Sequence, residues 1–284
     1  MKLSTAFALG RVSNLPTVAS NVLTGVALSG AKPSPLSLIG WVFAMAAFYT
    51  GGMYLNDAFD RGWDARHRPE RPIPSGAASI STVFAAGFGM LALGLVLSFG
   101  LAGGLSGHGL RAGLAALALG ACIVLYDAWH KENPLAPFVM GLCRVLIYVT
   151  VALGLGASWD IHATLAALAL LGYLVGLTYV ARQENLKRLT RMWPLLLLSA
   201  PLVIALPRAV DLHLVIYLVL AGWIIYSVRF LVVDRARNIG GAVARLIAGI
   251  ALVDAVLVSE AQAALLCVAA CAATRLLHRA VAGT

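Results

Sequence analysis

The sequence predicts an all-α protein, a polytopic transmembrane helical bundle of nine to ten spans that forms a single domain over residues 1–284. Three observations favour this class: 61% of the residues are hydrophobic, only 12% are charged, and the mean hydropathy is +0.88. About a quarter of the residues in an average soluble domain are charged. The lipid bilayer is therefore the expected solvent, and we predict a multi-pass integral membrane protein.

Ten apolar stretches reach or approach the roughly 20 residues that cross a bilayer. In chain order they comprise residues 12–30, 36–55, 80–102, 112–126, 137–157, 161–181, 192–207, 212–228, 243–258 and 261–274. The first lacks a small-residue cleavage site followed by a soluble chain, so we interpret it as a retained helix. Only Ser259 and Glu260 separate the last two, which leaves a kinked helix or a re-entrant pair as alternatives.

Charge is distributed unevenly among the predicted loops. If the N-terminus is cytoplasmic, most of the 21 Lys and Arg residues lie on the cytoplasmic side, as the positive-inside rule requires. The same rule favours ten spans, because nine would place Arg275 and Arg279 outside. The net charge of +9 is spread over short loops, so we expect the bilayer and no nucleic acid as a partner.

The densest polar segment follows the second predicted span. If that helix continues past Leu55, then Asn56, Asp60 and Asp64 recur every four residues and share one face. Such a face suits Mg²⁺, which commonly binds one or two carboxylates while phosphate oxygens and water complete its shell. Downstream arginines would hold phosphate oxygens. The alternative is a solvated loop that only enforces topology.

Two further polar segments, residues 126–134 and 179–188, resemble ordinary interfacial loops when each is taken alone. Arg144 lies inside a predicted span, where an ionisable side chain is costly and usually faces a partner, a substrate or a cavity. Snorkelling to the interface is the alternative. Asp254 also lies within a span and needs a partner, and the sequence leaves open whether the two meet.

Asn56-x3-Asp60-x3-Asp64, followed by Arg71-Pro72-Ile73-Pro74-Ser75-Gly76, resembles the first aspartate-rich motif of the UbiA superfamily of intramembrane prenyltransferases. Arg11 and Asn14, the segment from Tyr126 to Lys131, and Gly141-x2-Arg144 support the resemblance. The matching order of the loops extends it over nearly the whole chain. The resemblance implies a helical bundle whose cytoplasmic loops cap a central cavity open to lipid.

The implied activity is Mg²⁺-dependent transfer of a prenyl group from a prenyl diphosphate to an aromatic or other lipophilic acceptor. Carried over by position, Asp60 and Asp64 would be catalytic and would bind the metal together with Asn56. The implied substrate-binding residues are Asn14, Arg66, Arg71, Tyr126, Lys131, Arg144, Arg182, Glu184 and Lys187.

The second aspartate-rich motif of the family is altered in this sequence. Ala181 and Asn185 stand at the aspartate positions, and Glu184 is the one acid left in the segment. Arg182 and Lys187 would replace part of the lost metal charge. In this respect the chain also resembles a divergent branch called EboC, and a non-catalytic protein that binds or exports a small molecule or lipid precursor is the alternative.

Two other classes fit the sequence less well. A CDP-alcohol phosphotransferase motif begins with Asp, but the corresponding segment here begins with Arg61 and continues Gly-Trp-Asp-Ala-Arg. A transporter usually binds its substrate near the membrane midplane, between repeats. No inverted repeat is visible, and most polar residues cluster at one predicted surface.

Overall fold

The computed structural model describes residues 1–131, 133–182, 193–208, 210–232, 238–281 and 283. Within these ranges all regular secondary structure is helical, which confirms the predicted all-α class. The helices are α1 Leu3–Leu9, α2 Leu15–Ser29, α3 Pro35–Phe59, α4 Arg61–His67, α5 Ile80–Leu101, α6 Gly107–Trp129, α7 Ala136–Gly154, α8 Ile161–Arg182, α9 Pro194–Leu197, α10 Ala200–Ala205, α11 Asp211–Val232, α12 Ile239–Leu257 and α13 Ala261–Leu277.

Seven of the described helices are long and apolar enough to cross a bilayer, namely α3, α5, α6, α7, α8, α11 and α12. The other three predicted spans correspond to shorter helices: α2, the pair α9 and α10, and α13. Pro194 and Pro201 lie at the starts of α9 and α10, and proline cannot donate the backbone hydrogen bond that a continuous helix requires. The predicted seventh span is therefore broken, and the total of nine to ten crossings stays a prediction.

Serine caps fix where several long helices begin. The side chains of Ser34, Ser79 and Ser106 accept hydrogen bonds from backbone N–H groups in the first turns of α3, α5 and α6. These bonds satisfy donors that have no partner within the helix. Gly30 ends α2 with a φ of 67°, a left-handed conformation that glycine adopts without steric penalty.

Burial separates central helices from peripheral ones. In the most apolar window of α12, 72% of the residues are buried, whereas the fraction is 22% in α5 and in α11. The outer faces carry large apolar side chains such as Leu114, which is 69% exposed. A water-soluble protein rarely exposes so many apolar side chains, so these faces are suited to lipid.

Small residues allow α3 and α5 to pack closely. A Cβ atom on Gly51 would lie 2.8 Å from the carbonyl oxygen of Gly87, and one on Gly87 would collide with Leu55. Small residues at such crossings let membrane helices approach backbone to backbone. This packing holds the C-terminal part of α3, which carries the polar motif, in a fixed position.

Candidate active site

The predicted helical register of the first motif is present. α3 ends at Phe59 and α4 begins at Arg61, yet the backbone N–H of Asp60 bonds to the carbonyl of Asn56 at 2.9 Å. The N–H of Asp64 bonds to the carbonyl of Asp60, also at 2.9 Å. Asn56, Asp60 and Asp64 therefore occupy successive turns of nearly continuous helix.

Three polar segments that are far apart in sequence meet at one end of the bundle. Arg11, which follows α1, contacts Asp57 near the end of α3. Lys131, which follows α6, contacts Asp60 directly after α3. Arg182 at the end of α8 donates a hydrogen bond to the carbonyl of Asn133 at 2.7 Å. We call this the polar end. The loop-like segments in the sequence are thus parts of one polar assembly.

Asp57 binds two arginines at the polar end. Its Oδ1 atom accepts hydrogen bonds from Arg11 at 3.2 Å and from Arg71 at 3.0 Å, and the residue is only 4% exposed. Arg11 has a φ of 41°, an unusual backbone conformation for a residue with a side chain. Sequence reasoning did not include Asp57 in the site, although its position directly after Asn56 was a usable signal.

Asp60 and Asp64 differ in their electrostatic surroundings. Burial raises the pKa of Asp60, but contacts with His130 and Lys131, the latter at 2.8 Å, outweigh it and hold that pKa below its ordinary value. Asp64 is 4% exposed, and burial raises its pKa despite the charge of Arg71. One carboxylate is therefore neutralised by protein cations, while the other is only partly compensated.

Asn56 points to a second carboxylate that sequence reasoning missed. Its side-chain amide donates to Oδ1 of Asp127 in α6 at 3.1 Å. Asp127 is 4% exposed, and its other oxygen, Oδ2, is buried without a hydrogen-bond partner among the described residues. Asp127 lies four residues before Lys131, and that helical spacing was the available signal.

A cavity of about 290 Å³ opens beside these groups. Its polar lining includes Arg11, Arg68, Arg71 and Asp127. Its apolar lining is supplied by several helices and consists of Phe48, Gly52, Met53, Ile123, Met140, Ile147, Leu174, Leu177, Ala181, Val243, Ile247 and Ile250. The cavity therefore joins a cationic entrance to an interior suited to hydrocarbon.

The predicted site residues divide according to this cavity. Those that line it are Asn14, Arg71, Tyr126 and Arg144. Four others lie at the polar end but do not line the cavity, namely Asn56, Asp60, Asp64 and Lys131. Arg182 contacts the connection between α6 and α7. Arg66 donates to the carbonyl of Gly62 within α4, at the exposed surface. Glu184 and Lys187 lie outside the described residues.

Arg144 and Asp254 are linked by one amide inside the bundle. Arg144 donates to the side-chain oxygen of Asn21 at 2.8 Å, and the amide group of Asn21 donates to Asp254 at 2.9 and 3.1 Å. Ser20 and Tyr148 also donate to Asp254. The two intramembrane charges thus share a network that satisfies their hydrogen bonds, as burial in an apolar medium requires.

A stripe of polar residues that begins just before α2 and continues along it was the signal for this network. Asn14, Thr17, Asn21 and Thr24 follow one another at spacings of three and four, so they share one helical face, and all are buried. At its outer end, Asn14 donates to Tyr49 Oη and to the carbonyl of Gly283, both at 2.9 Å, and contacts His278. The stripe runs from the polar end into the bundle.

The fold and this site define a helical membrane protein whose cationic entrance leads to an apolar cavity within the helical bundle. The model of the UbiA prenyltransferase family matches residues 18–264. The chain belongs to this family, which confirms the resemblance seen in the sequence. Assignment to the EboC-like branch stays a prediction.

Curated relatives match parts of the chain. The digeranylgeranylglyceryl phosphate synthase of Metallosphaera sedula is 37% identical over 91 residues, which are 32% of each chain. Protoheme IX farnesyltransferase 1 of Cenarchaeum symbiosum is 30% identical over 166 residues, 56% of this chain and 51% of that protein. The matched segments thus span about one third to one half of these relatives.

Two solved structures share the fold. A structure of digeranylgeranylglyceryl phosphate synthase in membranes superposes with a TM-score of 0.63 at 18% identity, covering 91% of this chain and 98% of that one. A UbiA homologue from Archaeoglobus fulgidus bound to DMAPP and Mg²⁺ has a TM-score of 0.56 at 15% identity, covering 89% and 100%. At these identities the similarity establishes the fold.

The donor set at the polar end fits a magnesium ion that is completed by a substrate. Among the described residues, no three His, Cys, Asp or Glu side chains form a group that could hold a metal by themselves. Mg²⁺ rarely needs such a cage, because phosphate oxygens and water usually supply most of its ligands. The partly compensated Asp64 and the unpartnered oxygen of Asp127 are hard oxygen donors of the required kind.

Proposed function

We propose that this protein is a Mg²⁺-dependent prenyltransferase that moves a prenyl group from a prenyl diphosphate to an aromatic or other lipophilic acceptor. The observation that carries the proposal is the composition of one cavity. Arg11 and Arg71 line the same cavity as Leu174 and Ile247. A prenyl diphosphate has an anionic head and a hydrocarbon tail, so its two ends match the two parts of this lining.

Cationic side chains would hold the diphosphate at the entrance. Asp57 anchors Arg11 and Arg71, and a guanidinium group can present two parallel N–H donors to a phosphate. Lys131, beside Asp60, adds a positive charge close to the first motif. Asn56, Asp60 and Asp64 are the proposed Mg²⁺ ligands, and the bound ion would neutralise charge that develops on the departing diphosphate.

The transfer itself exchanges one bond for another. The bond between the allylic carbon and the diphosphate oxygen breaks, and the diphosphate leaves with the electron pair. A nucleophilic atom of the acceptor then bonds to the allylic carbon, and the acceptor gives up a proton to the released diphosphate. The chain's part is to exclude water, which would otherwise capture the cation, and the apolar lining from Phe48 to Ile250 does this.

Aromatic rings beside the entrance would stabilise the allylic cation. Tyr49 and Tyr126 both line the cavity. The Tyr49 ring lies 5.2 Å from the guanidinium carbon of Arg144, so this ring already contacts a cation in the structure. The face of an aromatic ring attracts cations most strongly in a site without water.

Non-catalytic binding is the second candidate function, and the altered second motif favours it. Ala181 lines the cavity at a position where the family resemblance implies an aspartate. Without that carboxylate, the protein would hold a prenyl diphosphate or a similar lipid without ionising it. Binding alone does not release diphosphate, so an activity assay separates the two functions.

The test uses purified protein in lipid nanodiscs with radiolabelled prenyl diphosphates of several lengths and Mg²⁺. Acceptors are phenolic aromatics together with a prenylated glyceryl phosphate and protoheme IX, which the names of the relatives suggest. Variants Asp60→Asn and Asp64→Asn remove the proposed metal ligands. Glu260→Gln is the matched control, because it removes one exposed carboxylate outside the cavity.

We expect wild type and Glu260→Gln to form a labelled product in the presence of Mg²⁺. Asp60→Asn and Asp64→Asn should lose at least about 100-fold in rate, as expected when a transition-state charge loses its stabilisation. Binding without product in every combination would favour the non-catalytic function. Product formation that depends on neither Mg²⁺ nor these aspartates would refute the proposed site.

A further inference from the structure

Asp127 is a buried carboxylate in α6 with an unused coordination position. It is 4% exposed and lines the cavity, yet Oδ2 has no hydrogen-bond partner among the described residues. Two neighbouring carboxylates are better compensated, since Asp57 binds two arginines and Asp60 binds Lys131. A buried carboxylate with one free oxygen is costly unless a proton, a cation or a hydrogen-bond donor completes it.

The distance between the side chains of Asn56 and Asp127 matches the distance between two neighbouring ligands of one metal ion. The side-chain amide of Asn56 lies 3.1 Å from Oδ1 of Asp127. Two neighbouring ligands of an octahedral Mg²⁺ with bonds of about 2.1 Å lie about 3.0 Å apart. A rotation of the Asn56 amide would bring its carbonyl oxygen to the same place, because the two amide atoms are nearly the same size.

Helix α8, which the structure describes from Ile161 to Arg182, carries no carboxylate. Ala181 and Thr178 line the cavity on that side, and neither side chain carries a charge. An acid at the polar end of the cavity comes instead from α6, in Asp127. Among the described residues, Asp127 is therefore the one carboxylate that lines the cavity.

We propose that Asp127 is a ligand of the divalent cation that accompanies the diphosphate, together with Asn56, and that it replaces a carboxylate missing from α8. This inference rests on the proposed function, since the diphosphate would supply the remaining ligands. Mg²⁺ sites with one or two protein carboxylates, phosphate oxygens and water are common. No ligand from the segment after α8 is then required.

The test measures cation binding and not turnover. Mn²⁺ replaces Mg²⁺ and is titrated into nanodisc-embedded protein that is saturated with a prenyl thiodiphosphate, whose sulfur bridge resists ionisation. Electron paramagnetic resonance counts the bound Mn²⁺. Asp127→Asn keeps the shape and an oxygen acceptor for Asn56 but removes the charge, and Glu260→Gln again serves as the matched control.

We expect Asp127→Asn to raise the half-saturating Mn²⁺ concentration at least about 10-fold, because even residues that only support ligands change metal affinity by about 10–100-fold. An unchanged value, combined with a raised value in Asp64→Asn, would overturn the role of Asp127 and leave the proposed function intact. No analogue-dependent Mn²⁺ binding by wild type would overturn both.

A second variant separates direct coordination from a through-space effect and also serves if Asp127→Asn does not fold. Asp127→Glu keeps the negative charge but moves the carboxylate by one methylene group. Direct coordination predicts a changed spectrum of the bound Mn²⁺, because its ligand geometry changes. A spectrum and an affinity equal to those of wild type would show that Asp127 contributes only charge and would overturn its assignment as a ligand.

Discussion

Replacing Asp57 with Asn perturbs the group that holds the two entrance arginines together. Oδ1 of Asp57 accepts a hydrogen bond from Arg11 at 3.2 Å and one from Arg71 at 3.0 Å, in a residue that is almost fully buried. Asparagine keeps an oxygen in the same place but removes the negative charge. The variant therefore tests what the charge contributes, with little change in packing.

The magnitude follows from the two contacts. A hydrogen bond to a charged partner contributes about 1.5–3 kcal/mol, and a neutral one about 0.5–1.5 kcal/mol. Each arginine contact should thus lose about 1–1.5 kcal/mol, and Asp57→Asn should lower the free energy of unfolding by about 2–3 kcal/mol. Repulsion between Arg11 and Arg71, now without a shared anion, acts in the same direction.

The assay is thermal unfolding of the detergent-solubilised protein, followed by tryptophan fluorescence. We expect Asp57→Asn to lower the apparent Tm by roughly 4–12 °C, at about 2–4 °C per kcal/mol. Glu260→Gln should change it by less than about 2 °C, because exposed charges contribute little. An equal Tm for the two variants would refute the reasoning that Asp57 anchors the arginines.

Lys131→Gln should lower Tm near neutral pH, and the difference from wild type should shrink as pH falls below the ordinary carboxyl pKa of 3.8. The pKa of Asp60 is held below that value, so the contact between Asp60 and Lys131 stabilises the fold at higher pH and is lost as the Asp60 carboxylate becomes protonated. A Tm difference that stays constant between about pH 3 and pH 7 would contradict this. Gly51→Ala should destabilise the fold by about 1–3 kcal/mol, because the new Cβ would lie 2.8 Å from the carbonyl oxygen of Gly87. Gly89→Ala on α5 meets no atom within 4 Å and should be neutral or stabilising in the same unfolding assay, whereas equal effects of the two alanines would argue against the close helix packing.

The helices were predictable because apolar length is a local property of the sequence. The predicted spans 36–55, 80–102 and 161–181 correspond to α3, α5 and α8 with small shifts at the ends. The seventh span was less predictable, since Pro194 and Pro201 divide it into α9 and α10. The residues around this break are apolar, so the hydropathy of the sequence stays high and does not reveal that the helix is interrupted.

The local helical register of the candidate site was predictable from residue spacing, whereas the contacts that depend on how helices pack were not. The four-residue spacing of Asn56, Asp60 and Asp64 gave their shared helical register correctly, since the backbone bonds continue through the junction. Asp127 and Asn21 were missed because their partners lie on other helices, 71 and 123 residues away in sequence. Helical spacing indicates that such residues share a face, but it does not show which helix that face contacts.

The proposed function places the prenyl tail of the substrate in the apolar cavity below the arginines. A prenyl diphosphate analogue with a photoreactive diazirine in its tail tests this most directly, with labelled residues identified by mass spectrometry. We predict Mg²⁺-dependent labels on cavity residues such as Leu174 and Ile247, abolished by excess unlabelled prenyl diphosphate. Labels on lipid-facing residues such as Leu114, unaffected by the competitor, would contradict the claim.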